Sequence, residues 1–110
     1  MFLAKVIGSV WSSVKWPELG GLKLLLVRPY SLEDLGGHAA EPSPKHDGVV
    51  CADTLGAGVG EDVVIAYGHA ARVAVSGALP DGAKPNVPID AAVVAIVDRF
   101  AVTESGTRDV

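Results

Sequence analysis

Residues 53–68, DTLGAGVGEDVVIAYG, carry glycines at 56, 58 and 60 and then run directly into an apolar, β-branched segment. The glycines look at first like a loop that cradles a phosphate. A dinucleotide fingerprint, however, needs glycine at its first, third and sixth positions, after a strand and opening a helix, so that the pyrophosphate meets the helix N-terminus. Here the sixth position is Glu61, and residues 62–68 have the pattern of a strand. A P-loop fails as well, because no Lys-Ser or Lys-Thr pair comes after the glycines to reach phosphate and magnesium. The stretch therefore reads as a tight turn between two strands, in which glycine takes positive φ without strain.

Similar punctuation divides the rest of the chain. Residues 2–14 are rich in β-branched side chains and stop before Trp16-Pro17, which predicts a first strand. GLKLLLVRPY (21–30), bounded by the Gly20-Gly21 pair and by Pro29, predicts a second, paired antiparallel to the first across KWPELGG. SLEDLGGHAAEPSPKHD (31–47) is polar, with two glycines and two prolines, and reads as a long surface loop. Third and fourth strands fall at 48–53 and 62–68. HAARVAVSG (69–77) has Ala70, Val73 and Ala74 at helical spacing and stops at Gly77, which fits a short helix, with a further strand as the alternative. After the proline-rich 78–88, residues 89–100 form a nearly continuous apolar run suited to a strand covered on both faces. The expected order is β-β-β-β-α-β. Five short strands and one short helix imply a mainly β fold, a small closed or partly closed barrel, since closure disposes of exposed strand edges. Residues 1–100 form the expected single domain, and 101–110 a polar tail.

At 110 residues there is room for one core. The chain is 49% hydrophobic and 20% charged, rich for a small domain that must also cover its surface, so some apolar surface is expected to lie against partner subunits. The net charge is −4, although the first thirty residues hold Lys5, Lys15, Lys23 and Arg28 against Glu18. That asymmetry suggests a mildly basic face, but an acidic chain argues against tight nucleic-acid binding, which neutralises many phosphates. The single cysteine, Cys51, forms no intramolecular disulfide. MFLAKVIGSVWSSV has no basic region ahead of its hydrophobic run, and no apolar stretch reaches the roughly 18 residues of a membrane span. The chain reads as cytoplasmic.

Candidate chemistry is sparse. Cys51 with His38, His46 or His69 as base suggests a nucleophile, but its VVCAD setting fits a small buried side chain better. His38 and His46, near Glu41 and Asp47, match no compact metal-ligand spacing. Glu33-Asp34 and Glu61-Asp62 have nothing in the sequence to bring two acids into one desolvated cleft. Trp11, Trp16 and Tyr30 beside basic residues suggest an alternative, an OB-like module binding single-stranded nucleic acid or a small anion through Lys5, Trp11, Lys15 and Trp16.

Four segments acting together carry a resemblance: MFLAKVIGSV, GLKLLLVRP, CADTLGAGVGEDVVIAYGHAAR and VPIDAAVVAIVD. In order and spacing, over about residues 1–98, they resemble the bacterial microcompartment vertex proteins, the EutN/CcmL family. The resemblance implies an OB-like barrel that assembles as a cyclic pentamer and caps the vertices of a polyhedral protein shell such as a carboxysome. It also implies a structural protein with no catalytic residue, cofactor or metal, whose partners are its own copies and hexameric or pseudo-hexameric shell tiles. By position, Gly8, Gly21, Leu22, Lys23 and Leu24 match the family's first hairpin, and Asp53, Thr54, Gly56, Gly58, Gly60 and Glu61 its central turn. Gly68, Ala71 and Arg72 match its helix start; Pro88, Asp90, Ala91, Ala92, Ile96, Val97 and Asp98 match its last strand. Lys23, Arg72 and Asp90 are the expected determinants of subunit geometry. His69, where the family has small polar residues, is the candidate pore or rim contact, and the 31–47 loop is longer and richer in proline than the family pattern.

Overall fold

The β-branched segments form five strands, because alternating side chains fill one barrel interior from every side. A computed structural model describes residues 1–15, 19, 21–37, 39–76 and 88–103. Strand β1 (Phe2–Val10) is followed by β2 (Lys23–Pro29), a short helix α1 (Leu32–Gly36), β3 (Val49–Asp53) and β4 (Asp62–Tyr67). Helix α2 (His69–Ser76) and β5 (Ala91–Val97) complete the order. The sheet closes on itself as β1-β2-β3-β5-β4. All neighbours are antiparallel except β3 and β5, which are parallel and meet at Ala52 and Ala92. This is the expected five-stranded barrel, with the β1–β2 hairpin in place. The observed strands are shorter at their ends than the apolar patterns from which they were read.

Ala4, Val6, Leu25, Val27, Cys51, Val63, Ile65, Ala91 and Val93 point inward and form the core. A second, smaller core lies outside the barrel wall, where Ala71 and Val75 of α2 pack on Ala52 and Ala92. Small residues on both sides let the helix lie close. Coverage on both faces thus holds for the start of β5, whose first three residues are all buried.

The stretch 31–47 departs from expectation, since it is not loop throughout. Ser31 caps α1: its hydroxyl accepts from the Asp34 N–H at 3.0 Å, while the Asp34 carboxylate accepts from the Ser31 N–H at 2.9 Å. The same Asp34 oxygen contacts the Ser43 N–H at 3.3 Å and His46 Nε2 at 3.1 Å, and Arg28 Nε donates to the His46 carbonyl at 3.1 Å. Asp34 gathers the segment, and Arg28 ties it to the barrel. The Ser31 backbone N–H above all, then the Ser43 N–H, the Ser31 hydroxyl and His46, hold the Asp34 carboxyl below its usual range against the opposing effect of burial. A carboxyl held low in the folded chain stabilises it above the ordinary carboxylate pKa of about 4 and loses that contribution as pH falls through the lower folded value. Amide exchange at Ser31 and Ser43 is accordingly expected to accelerate, relative to core amides, as the pH drops below about 4. Unchanged relative protection there would contradict the Asp34 role.

Candidate functional site

The turn that joins β3 to β4 is built around one carboxylate. Asp53, the last residue of β3, is only 4% exposed. Its Oδ1 accepts from the Leu55 N–H at 2.9 Å, and its Oδ2 from the N–H groups of Gly56 at 3.1 Å and Ala57 at 2.8 Å. Successive peptide N–H groups folded in this way make an anion-binding concavity. Here the anion is the chain's own side chain, so the donors a phosphate would need are already engaged. Lys23 lies opposite Asp53 in the β2–β3 register; its Nζ stands 3.6 Å from Oδ2 and also donates to the Ala57 carbonyl. The fold of the turn seats Ala57, fully buried, against the barrel core.

The second half of the turn is fastened as closely. Glu61 Oε1 accepts from the Gly58 N–H at 2.7 Å. Gly60 N–H donates to the Val6 carbonyl at 2.8 Å and Val6 N–H to the Glu61 carbonyl at 2.9 Å, which stitches the turn to β1. Gly56 and Gly60 take φ of +85° and +93°, where a side chain would be strained. The turn requires glycine for its backbone path, and the carboxylate is the other half of the explanation.

The other matched residues divide by location. Gly68, His69, Arg72, Pro88 and Asp90 lie at the opposite end of β4 from the turn. Gly68, at φ +66°, donates to the Asp90 carbonyl at 2.8 Å and accepts from the Ala71 N–H at 3.1 Å, starting α2 while holding the approach to β5. His69, Pro88 and Asp90 are exposed and Arg72 is half-buried. Gly8 pairs with Leu26 at a bulge in β1, Gly21 has φ +82° at the end of the hairpin connection, Leu24 packs on the outer core, and Thr54 is exposed. Of the three residues expected to fix subunit geometry, Lys23 is engaged within its own chain.

The catalytic and binding alternatives find little support. Burial above all, aided by Asp53, pushes the Cys51 thiol up to about 11, away from the thiolate a nucleophile needs. His46 is committed to Asp34, and His38 and Trp16 lie outside the described residues. No cluster of three metal-ligating side chains occurs among the described residues. Lys5 of the nucleic-acid alternative is tied to Asp62 at 3.3 Å and to the Gly60 carbonyl at 3.2 Å, and its side chain is mostly buried. Asp62 in turn accepts from the Tyr30 hydroxyl at 2.7 Å; burial first, and that carboxylate second, raise the phenol's pKa. Trp11 is exposed, as is Lys15. No helix among the described residues is long and apolar enough to cross a membrane.

The closed barrel with its self-satisfied glycine turn has known relatives. The family described as ethanolamine utilisation protein EutN/carboxysome matches residues 1–98. The chain belongs to the EutN/CcmL family. It is 45% identical over 101 residues to the bacterial microcompartment shell vertex protein PduN of Salmonella typhimurium, covering 92% of this chain and 99% of that one. Identity to the carboxysome shell vertex protein CcmL of Synechocystis is 40% over 102 residues, covering 93% and 87% of the two chains. Among solved structures, the GrpN pentameric microcompartment shell protein from Rhodospirillum rubrum superposes with a TM-score of 0.70 at 38% identity, over 93% of this chain and 99% of that one.

Proposed function

We propose that this chain is a structural vertex protein of a bacterial microcompartment, working in the shell of that organelle in the cytoplasm as a ring of five identical subunits. A flat layer of hexagonal tiles cannot close, and pentagonal tiles inserted at the vertices supply the curvature. The near full-length similarity to named shell vertex proteins, one of them described as pentameric, carries this reading. The EutN/CcmL barrel acts here as scaffold and not as enzyme, with no cofactor. Its rim meets hexameric or pseudo-hexameric shell tiles. Arg72 and Asp90, at the α2 end of the barrel, set the register between neighbours, because interfacial charges specify orientation more than they add affinity. His69, exposed at the start of α2, is placed to contact the pore or rim. Negative-stain images together with native mass spectrometry at micromolar concentration test the assembly. Five-fold rings and a pentamer mass are expected, and a chain that stays monomeric would overturn the reading.

A further inference from the structure

Asp47 differs from the other described aspartates. Asp34, Asp53 and Asp62 engage their carboxylates in hydrogen bonds within the chain. Asp90 and Asp98 are exposed, but Ala91 and Arg99 follow them, and a Cβ there crowds the amide in between. Asp47 is exposed, its carboxylate takes no hydrogen bond or ion pair among the described residues, and the residue after it is Gly48, exposed as well. The β2–β3 register ends at Val27 and Val49, so Gly48 lies just outside it. With no Cβ on Gly48, its amide nitrogen is open to the carboxyl carbon beside it. We propose that Asp47-Gly48 is a self-modifying site, whose carboxyl and following amide close to a succinimide that reopens as isoaspartate and loosens the 31–47 segment from the barrel.

The step needs only solvent. The Gly48 nitrogen gives up its proton and bonds to Asp47 Cγ; that proton, one carboxylate oxygen and a proton from water leave together as a water molecule. A second water then opens the five-membered ring. Opening at the Cγ–N bond restores aspartate, whereas opening at the bond between the Asp47 backbone carbonyl carbon and nitrogen leaves the chain running through Cβ and Cγ. Either opening returns a carboxylate and a proton, so isoaspartate has the mass and charge of the parent.

The rerouted main chain is longer by one carbon, a bond of about 1.5 Å. There is little slack to absorb it. Before Asp47, the His46 carbonyl accepts from Arg28 Nε at 3.1 Å and the His46 ring is held by Asp34. After it, β3 begins at Val49, and Gly48 lies so close to β2 that a Cβ on it would stand 2.9 Å from Leu26 Cδ1. Five backbone pairs hold β3 to β2, against the single Arg28 bond at His46. The bond to Arg28 is therefore the one that gives.

The test ages the full chain for weeks in warm neutral buffer and maps its peptides. The sequence has one other Asp-Gly pair, Asp81-Gly82, outside the described residues, and the two are read on separate peptides. Isoaspartate at 47 is expected to accumulate at least tenfold faster than at Asp90 or Asp98, preceded by a form of the same peptide one water lighter. Asp47→Glu keeps the charge but would need a six-membered ring, and should abolish both products; Gly48→Ala is avoided because it displaces Leu26. In the isomerised fraction, separated by chromatography, the Arg28 Nε–H should exchange with solvent faster while the Leu25 amide keeps its parental rate. Isoaspartate no more frequent at 47 than at Asp90 or Asp98 would overturn the site. An isomerised fraction with parental exchange at Arg28 would overturn the loosening.

Discussion

Replacing Asp53 by alanine is expected to lower the unfolding free energy by about 3–5 kcal/mol, because it strips three buried or partly buried N–H groups of their acceptor at once. Water can rescue Leu55 and Gly56, whose residues are exposed, but Ala57 is fully buried and its N–H has nowhere to turn. At a fixed protein concentration, this corresponds to a fall in Tm of roughly 12–25 °C for a domain of about this size. The neighbouring ion pair is the smaller effect. Lys23 has a side chain that is 47% exposed, so Lys23→Ala should cost less than about 1 kcal/mol. Asp53→Asn keeps the shape but presents an amide NH₂ toward peptide donors, and should fall between the two. Urea unfolding of the three variants ranks these contributions. An Asp53→Ala variant within about 1 kcal/mol of the parent would show that the turn is held by its glycines and by β1, not by the carboxylate.

That ranking also separates what the sequence makes legible from what it does not. The strands are readable because each carries alternating or continuous β-branched residues between glycine and proline stops, a local pattern that survives without knowledge of the fold. Antiparallel pairing of β1 with β2 comes from adjacency. The closing β1–β4 pair and the parallel β3–β5 pair join segments far apart in sequence, and nothing local encodes them. Bulges at Val6–Gly8 and Val64–Ile65 shift the register by packing, which no propensity reveals. Helix α1 does have a local signal: Ser31-Leu-Glu-Asp34 is a capping box, masked because the segment lacks an apolar stripe and so resembles loop. The turn is recognisable from its glycines, whereas Asp53 stands out only as a motif position. An aspartate two to four residues ahead of a glycine run is itself turn chemistry, since its carboxylate can take the N–H groups of the next few residues. What stays hidden is Ala57, whose full burial in the barrel core no local pattern encodes.

The largest effect expected from the barrel interior is that of Leu25→Ala. Leu25 is fully buried at the middle of β2, pairs with Ser9 on one side and Cys51 on the other, and is among the largest fully buried side chains of the core. Strands paired on both sides cannot collapse into the gap, so the loss combines transfer and cavity terms, about 3–4 kcal/mol. Leu25→Met, nearly equal in volume, should cost less than about 1.5 kcal/mol. Cys51 offers a second readout, because its thiol is buried beside the same site and raised to about 11. Alkylation at neutral pH must then proceed through opened molecules, and a loss of about 3 kcal/mol should speed it roughly a hundredfold. Two simpler pictures give different patterns. If Leu25→Ala raised thiol reactivity without lowering stability, the cavity would be admitting reagent to an intact barrel. If it changed neither, Leu25 would not hold the position in the core that its burial and pairing give it, and the closure of β1, β2 and β3 around it would have to rest on backbone hydrogen bonds alone.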